Sequence, residues 1–235
     1  MAILFQDRTD AGQKLAQDLV RYADRPDVAV VALPRGGVPI GFVLAQELNV
    51  PLDILVVRKL GVPGHQELAL GAIAGGGVRI LNDCLIQSRG IPDDLIDAIT
   101  AQEQGELAQR ERLYRGSRLP LGISGRTIIL VDDGMANGSS MAAAIAAVRR
   151  RHPARTVVAV PVASAEACDE LRDSVDELVC LAEPEPFLSI GQWYEEFRQV
   201  TDREVQDLLE QAAMRQLTFR EIELARIDSK NSAGG

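Results

Sequence analysis

Four apolar, β-branched runs limit what this chain can fold into: VAVVAL (28–33), LDILVV (52–57), TIILVDD (127–133) and RTVVAVPV (155–162). Each is too short to span a membrane. Each is also too continuous for a strand with one wet face, so it reads as a strand buried on both sides. Segments with near-helical spacing of apolar residues lie around them, at 10–23, 38–48 and 141–151. A helix near 165–172 and a strand near 175–181 extend the series. Repeated strand–helix–strand order is the βαβ unit, which builds parallel sheets. The expected fold class is therefore α/β, a mainly parallel twisted sheet flanked by helices. Aromatics make up only 4% of the 235 residues against 46% hydrophobic, so small and branched aliphatics must fill the core.

The remaining segments suggest additions to this core. Residues 58–68 (RKLGVPGHQEL) read as a polar Gly/Pro-punctuated loop, a candidate mobile lid. ALGAIA (69–74), a triple-glycine turn and VRIL (78–81) suggest an antiparallel hairpin, and 93–115 one long charged helix. The expected organisation is a core over 1–182 that carries this hairpin and helix as a small hood at about 69–115. A C-terminal aromatic and helical extension follows over 183–227, with short helices near 202–213 and 218–227, and a disordered polar tail over 228–235. Trp193, Tyr194 and Phe197 could stack on a flat ligand, but their spacing favours an apolar anchor for the extension.

Charge and composition narrow the function. The net charge is −9, and Arg149-Arg150-Arg151 is the only basic cluster, so nucleic acid is not an expected partner. Cys84, Cys168 and Cys180 are widely spaced with no CxxC, which suggests neither a zinc site nor a disulfide framework. Three reduced, mostly buried thiols and an N-terminus unlike a signal peptide point to a cytoplasmic protein without a membrane partner.

The most informative stretch is Val131–Ser140, VDDGMANGSS. Two acids end a buried strand, a short loop follows and a helix opens. In open α/β sheets ligands bind at the carboxyl ends of strands, and a helix N-terminus offers N–H groups and a positive dipole to a phosphate. Gly138 permits close backbone approach, Asn137, Ser139 and Ser140 supply polar donors, and Asp132 and Asp133 can accept from a diol. Acceptors at one end and a phosphate nest at the other match a ribose 5-phosphate. The absence of GxxxxGK[ST] rules out a Walker A loop.

This stretch resembles the binding loop of type I phosphoribosyltransferases for 5-phosphoribosyl-1-pyrophosphate (PRPP). The resemblance extends over roughly residues 3–210, and is nearest to a group of uncharacterised members through VRKLGVPGHQELALGAI and GQWYEEFRQVTDREV. It implies that Asp132 and Asp133 hold the ribose hydroxyls and that Ala136, Asn137, Gly138, Ser139 and Ser140 hold the 5′-phosphate. Many members have Thr where this chain has Asn137. Pro34-Arg35-Gly36-Gly37 resembles the family's pyrophosphate loop, which makes Arg35 a catalytic candidate beside Gly36 and Gly37. Lys59 is the second, and His65 and Glu67 are weaker ones. The implied cofactor is Mg²⁺, carried on the substrate and reached by Asp132 or Asp133 through water. The implied partners are PRPP and a small, nitrogenous acceptor, with a homodimer left open. Ala136 stands where 6-oxopurine enzymes of the family place an acidic base, so hypoxanthine and guanine are expected to be poor acceptors. The rivals are a catalytically silent PRPP- or nucleotide-sensing regulator of the same fold and, further off, a phosphatase- or synthetase-like βαβ protein using Asp132 as nucleophile or metal ligand.

Overall fold

The computed structural model describes residues 3–62 and 65–216. Five parallel strands form the main sheet in the order β2-β1-β6-β7-β8: β1 (Val28–Ala32), β2 (Leu52–Ile54), β6 (Thr127–Val131), β7 (Arg155–Val162) and β8 (Glu177–Ala182). Alternate residues of β1 and β6 face opposite cores. Val28, Val30, Ile129 and Val131 pack under α1 (Arg8–Asp18) and α2 (Gly37–Glu47). Ala29, Val31, Ile128 and Leu130 pack under α5 (Ser139–Arg149) and α6 (Ala165–Arg172). This two-sided burial is why the strand sequences show no polar alternation.

A second, antiparallel sheet has the order β3-β4-β5, from β3 (Val57–Val62), β4 (His65–Ala74) and β5 (Val78–Leu81). Two expectations are corrected here. The run 52–57 is not one core strand, because the chain leaves the main sheet after Ile54 and enters the second sheet at Val57. Nor is 58–68 an irregular loop: 57–62 and 65–74 pair as a hairpin, with register shifts at Leu60–Val62 accommodating its polar and glycine residues. Residues 63 and 64, and the side chains of His65 and Glu67, lie outside the described residues. A short helix not anticipated, α3 (Asp83–Arg89), begins at Asn82, whose side chain accepts from Leu85 N at 3.0 Å.

The long helix α4 (Asp93–Arg115) forms over the expected span. It packs on the hairpin sheet, and Leu60, Leu70, Ile73, Leu107 and Tyr114 share a third core with Val200, Val205 and Leu209 of the extension. Helix α7 covers 202–216; the helix expected at 218–227 and the tail 228–235 lie outside the described residues. Among the described residues no helix is long and apolar enough to cross a membrane.

Candidate nucleotide-binding site

The strand order reverses direction between β1 and β6. From β1 the chain crosses to β2 on one side, and from β6 it proceeds to β7 and β8 on the other. At such a point the loops leaving adjacent strand ends diverge and open a crevice. Pro34-Arg35-Gly36-Gly37 leaves β1 and Asp132-Asp133 leaves β6, so the two segments singled out in the sequence become spatial neighbours. Leu33 N donates to Val131 O at 2.9 Å, and the Pro34–Arg35 peptide is cis. A Cβ at Gly36 would overlap the Asp133 carboxylate, so only glycine fits this close approach.

The two acids have unequal surroundings. Arg8, at the start of α1, grips Asp133: Nε and Nη2 both donate to Oδ2, at 2.9 and 2.7 Å. Both side chains are largely buried, at 11% and 12% exposure. Arg8 also lies 3.9 Å from the centroid of the Phe197 ring and donates to Arg198 O. No ion pair to Asp132 is seen among the described residues; its Oδ1 accepts from Asp133 N at 2.9 Å. Burial, then the neighbouring Asp133 charge, pushes its carboxyl well above the usual range, against a smaller downward pull from Arg8. Asp133 is also raised by burial, with Arg8 opposing. One buried cation thus serves two carboxylates, and the uncompensated charge falls on Asp132.

The loop after β6 is stitched to the next strand. Met135 N donates to Val162 O, Ser164 N to Met135 O, and Ser164 Oγ to Ala136 O at 2.8 Å. Ala136 and Asn137 are exposed. Asn137 Oδ1 accepts from Ser139 Oγ at 2.8 Å and Ser139 N at 3.3 Å, so the donor that the sequence suggests at this position is its Nδ2. Gly138 takes the left-handed conformation, φ +65°, and starts α5. Ser139 and Ser140 then form the first turn, where backbone N–H groups point out of the helix end.

Facing this loop is a cavity of about 270 Å³, small for a ligand site. Its lining includes Lys59 of β3, Ile80 and Leu81 of β5, Asn82, and Asn137–Ser140, with Glu170 of α6 at one side. The structure therefore brings Lys59 to the phosphate-loop side of the site. Its neighbour Arg58 turns away to Glu103 and Glu106 of α4, in a structural ion pair. Arg35 lies on the other side, 3.5 Å from Asp202 at the start of α7. Asp202 also accepts from Tyr114 Oη at 2.6 Å.

The aromatic extension is an anchor. Trp193 and Tyr194 are each 4% exposed, and Tyr194 Oη donates to Asp133 O at 2.7 Å. The anchor is not the helical stripe expected from the spacing, since a 3₁₀ turn, Ile190–Trp193, gives way to extended chain that bridges Phe5. Sequence reasoning missed Arg8, Tyr194 as a support for Asp133, Asp202, Asn82 and Glu170. Arg8 lies 125 positions from Asp133, and nothing local marks it.

The profile of the phosphoribosyl transferase domain matches residues 4–190. The chain belongs to the phosphoribosyl transferase domain family. Two curated proteins from Mycobacterium tuberculosis strains, each named "Putative phosphoribosyl transferase", are 42% identical over 209 residues. The match covers 89% of this chain and 47% of each relative, so the chain spans about half their length. The crystal structure of TT1426 from Thermus thermophilus is 39% identical and superposes with a TM-score of 0.77, covering 87% of this chain and 97% of that one. Membership of this family agrees with the mainly parallel sheet flanked by helices.

Proposed function

We propose that this family member is a Mg²⁺-dependent phosphoribosyltransferase that moves ribose 5-phosphate from PRPP to a small nitrogenous acceptor. The observation that carries the reading is the convergence, at one switch point, of the acid pair, the α5 N-terminus and the Arg35-Gly36-Gly37 loop, with Lys59 across the cavity. In the reaction the bond between C1 and the pyrophosphate oxygen breaks and its electron pair leaves with pyrophosphate. The acceptor nitrogen forms the new bond to C1 and gives up its proton. The α5 N-terminus holds the 5′-phosphate, Asp132 and Asp133 orient the ribose hydroxyls, and Arg35 and Lys59 offset charge on the leaving group.

The donor set suits Mg²⁺, which favours carboxylate oxygen and substrate phosphate. Asp132 is the better direct or water-bridged contact, because Asp133 is already matched by Arg8. When bound, Mg²⁺ would neutralise pyrophosphate charge. Ala136 is exposed beside the phosphate loop and carries no proton acceptor. Hypoxanthine and guanine, which need a base at that place, should turn over ~10²–10⁴-fold more slowly than an acceptor that does not.

The test is pyrophosphate release from PRPP and Mg²⁺ with a panel of nucleobases and simple amines. Turnover with adenine, a pyrimidine or an amine supports the proposal. Efficient turnover of hypoxanthine would remove the Ala136 argument. Micromolar PRPP binding with no turnover on any acceptor would favour a PRPP-sensing regulator instead.

A further inference from the structure

Behind the phosphate loop, two thiols and a carboxylate converge. Cys168 lies on α6, Cys180 on β8 and Glu183 just after β8; one ligand atom of each lies within 4.8 Å of the other two. Cys168 is buried, Cys180 half-buried and Glu183 exposed, so the cluster runs from the core to the surface. We propose that Cys168, Cys180 and Glu183 form a binding site for a thiophilic divalent cation of the zinc type, separate from the nucleotide site.

The chemistry of the donors supports this. Two sulfurs and one oxygen suit a borderline-soft d¹⁰ cation in tetrahedral coordination, with water completing the fourth position on the exposed side. Mg²⁺, a hard cation that prefers oxygen, does not suit it, so the proposal is independent of the phosphoribosyltransferase reading. Charge also balances. Two thiolates and a carboxylate carry three negative charges, the cation two positive, and Arg172, 3.9 Å from Glu183, one more. Arg172 reaches Asp169 at the same long distance, which leaves Glu183 loosely held and able to turn to a metal. The Cys180 thiol donates to Ala182 O at 3.1 Å. A thiol binds such a cation as thiolate, so loading the site releases protons to solvent.

The position gives the site a structural consequence. Ala167 and Leu171 of α6 flank Gly138: a Cβ built there would lie 3.6 Å from Ala167 Cβ and 3.2 Å from Leu171 Cδ1. A cation tying α6 to β8 would therefore brace the surface on which the phosphate loop rests.

The experiment is titration of the reduced, metal-free chain with Zn²⁺ and with Co²⁺ as a spectroscopic probe, in excess Mg²⁺. The expected result is one cation per chain, with sulfur-to-cobalt charge-transfer absorption that Mg²⁺ does not displace. Cys168→Ser and Cys180→Ser should each weaken binding by more than ~100-fold, and Glu183→Gln by ~10–100-fold. Cys84→Ser, at an exposed thiol outside the three-residue cluster, should leave it unchanged. Circular dichroism checks folding; if Cys168→Ser does not fold, Cys180→Ser and Glu183→Gln carry the test. The proposal is overturned if no thiolate band appears, if the reduced protein takes up no zinc, or if binding survives in the Cys180→Ser and Glu183→Gln variants.

Discussion

Asp132 and Asp133 are adjacent in sequence and carry the same charge, yet neutralising them should change stability in opposite directions. Arg8 supplies a buried partner to Asp133 alone. Asp133→Asn leaves that guanidinium without its carboxylate; breaking a buried pair from one side typically costs ~3–5 kcal/mol, and slight exposure places this case near the low end. Asp132→Asn keeps the oxygen that accepts from Asp133 N and removes the carboxylate that burial and Asp133 disfavour. Asp132 is half-buried and already accepts one hydrogen bond, so the relief is worth on the order of 1 kcal/mol. For a chain of this size that is a rise of roughly 2–4 °C in Tm. The effect must depend on pH in a defined sense. Asp132 has a folded-state pKa raised above its unfolded value, so its protonated form contributes stability below the usual carboxylate range. The wild type loses that contribution as pH rises through the raised value. Asp132→Asn should therefore match wild type in acid and exceed it at neutral pH and above. Thermal and urea unfolding between pH 4 and 8.5 measure this, with PRPP calorimetry alongside. Both variants should bind PRPP ~10–100-fold more weakly, since each loses a charged hydrogen-bond acceptor. Stability changes of the same sign, or a pH-independent gain in Asp132→Asn, would refute the account of one cation shared unequally.

Three further outcomes are expected. Gly138→Ala places a side chain at φ +65° against Leu171 and should cost ~1–2 kcal/mol, with a larger loss of affinity for inorganic phosphate than for a phosphate-free ribose; calorimetry with both ligands distinguishes them. Tyr194→Phe removes the hydrogen bond to Asp133 O without changing packing, and should lower stability by ~1 kcal/mol and weaken PRPP binding while Trp193 fluorescence stays native. Amides of β3 and β4 should gain hydrogen-exchange protection when PRPP and Mg²⁺ are added, because Lys59 lines the cavity facing the phosphate loop; unchanged exchange there would count against closure of this hairpin.

The sequence alone determined the main sheet and the strand–turn–helix course of Val131–Ser140, because both are local. A β-branched run buried on both faces has few alternatives, and VDDGMANGSS carries strand end, turn and helix start within ten residues. Helix α4 was equally legible from its long charged pattern. What depends on partners distant in the chain was decided only by tertiary structure. LDILVV reads as one strand, but the chain must leave the main sheet after Ile54 to pair Val57 with Ala74, a choice made by β4. RKLGVPGHQEL looks like a loop because glycine, proline and charge dominate it, yet backbone pairing and the Arg58–Glu103 contact hold its described part as strand. The acids looked alike until Arg8, 125 positions away, distinguished them. Cys168 and Cys180, twelve residues apart with no metal-binding spacing, meet Glu183 because α6 folds back over β8. Period and motif record what a segment does with its immediate neighbours; charge compensation and donor clusters are properties of elements that meet only when the sheet is assembled.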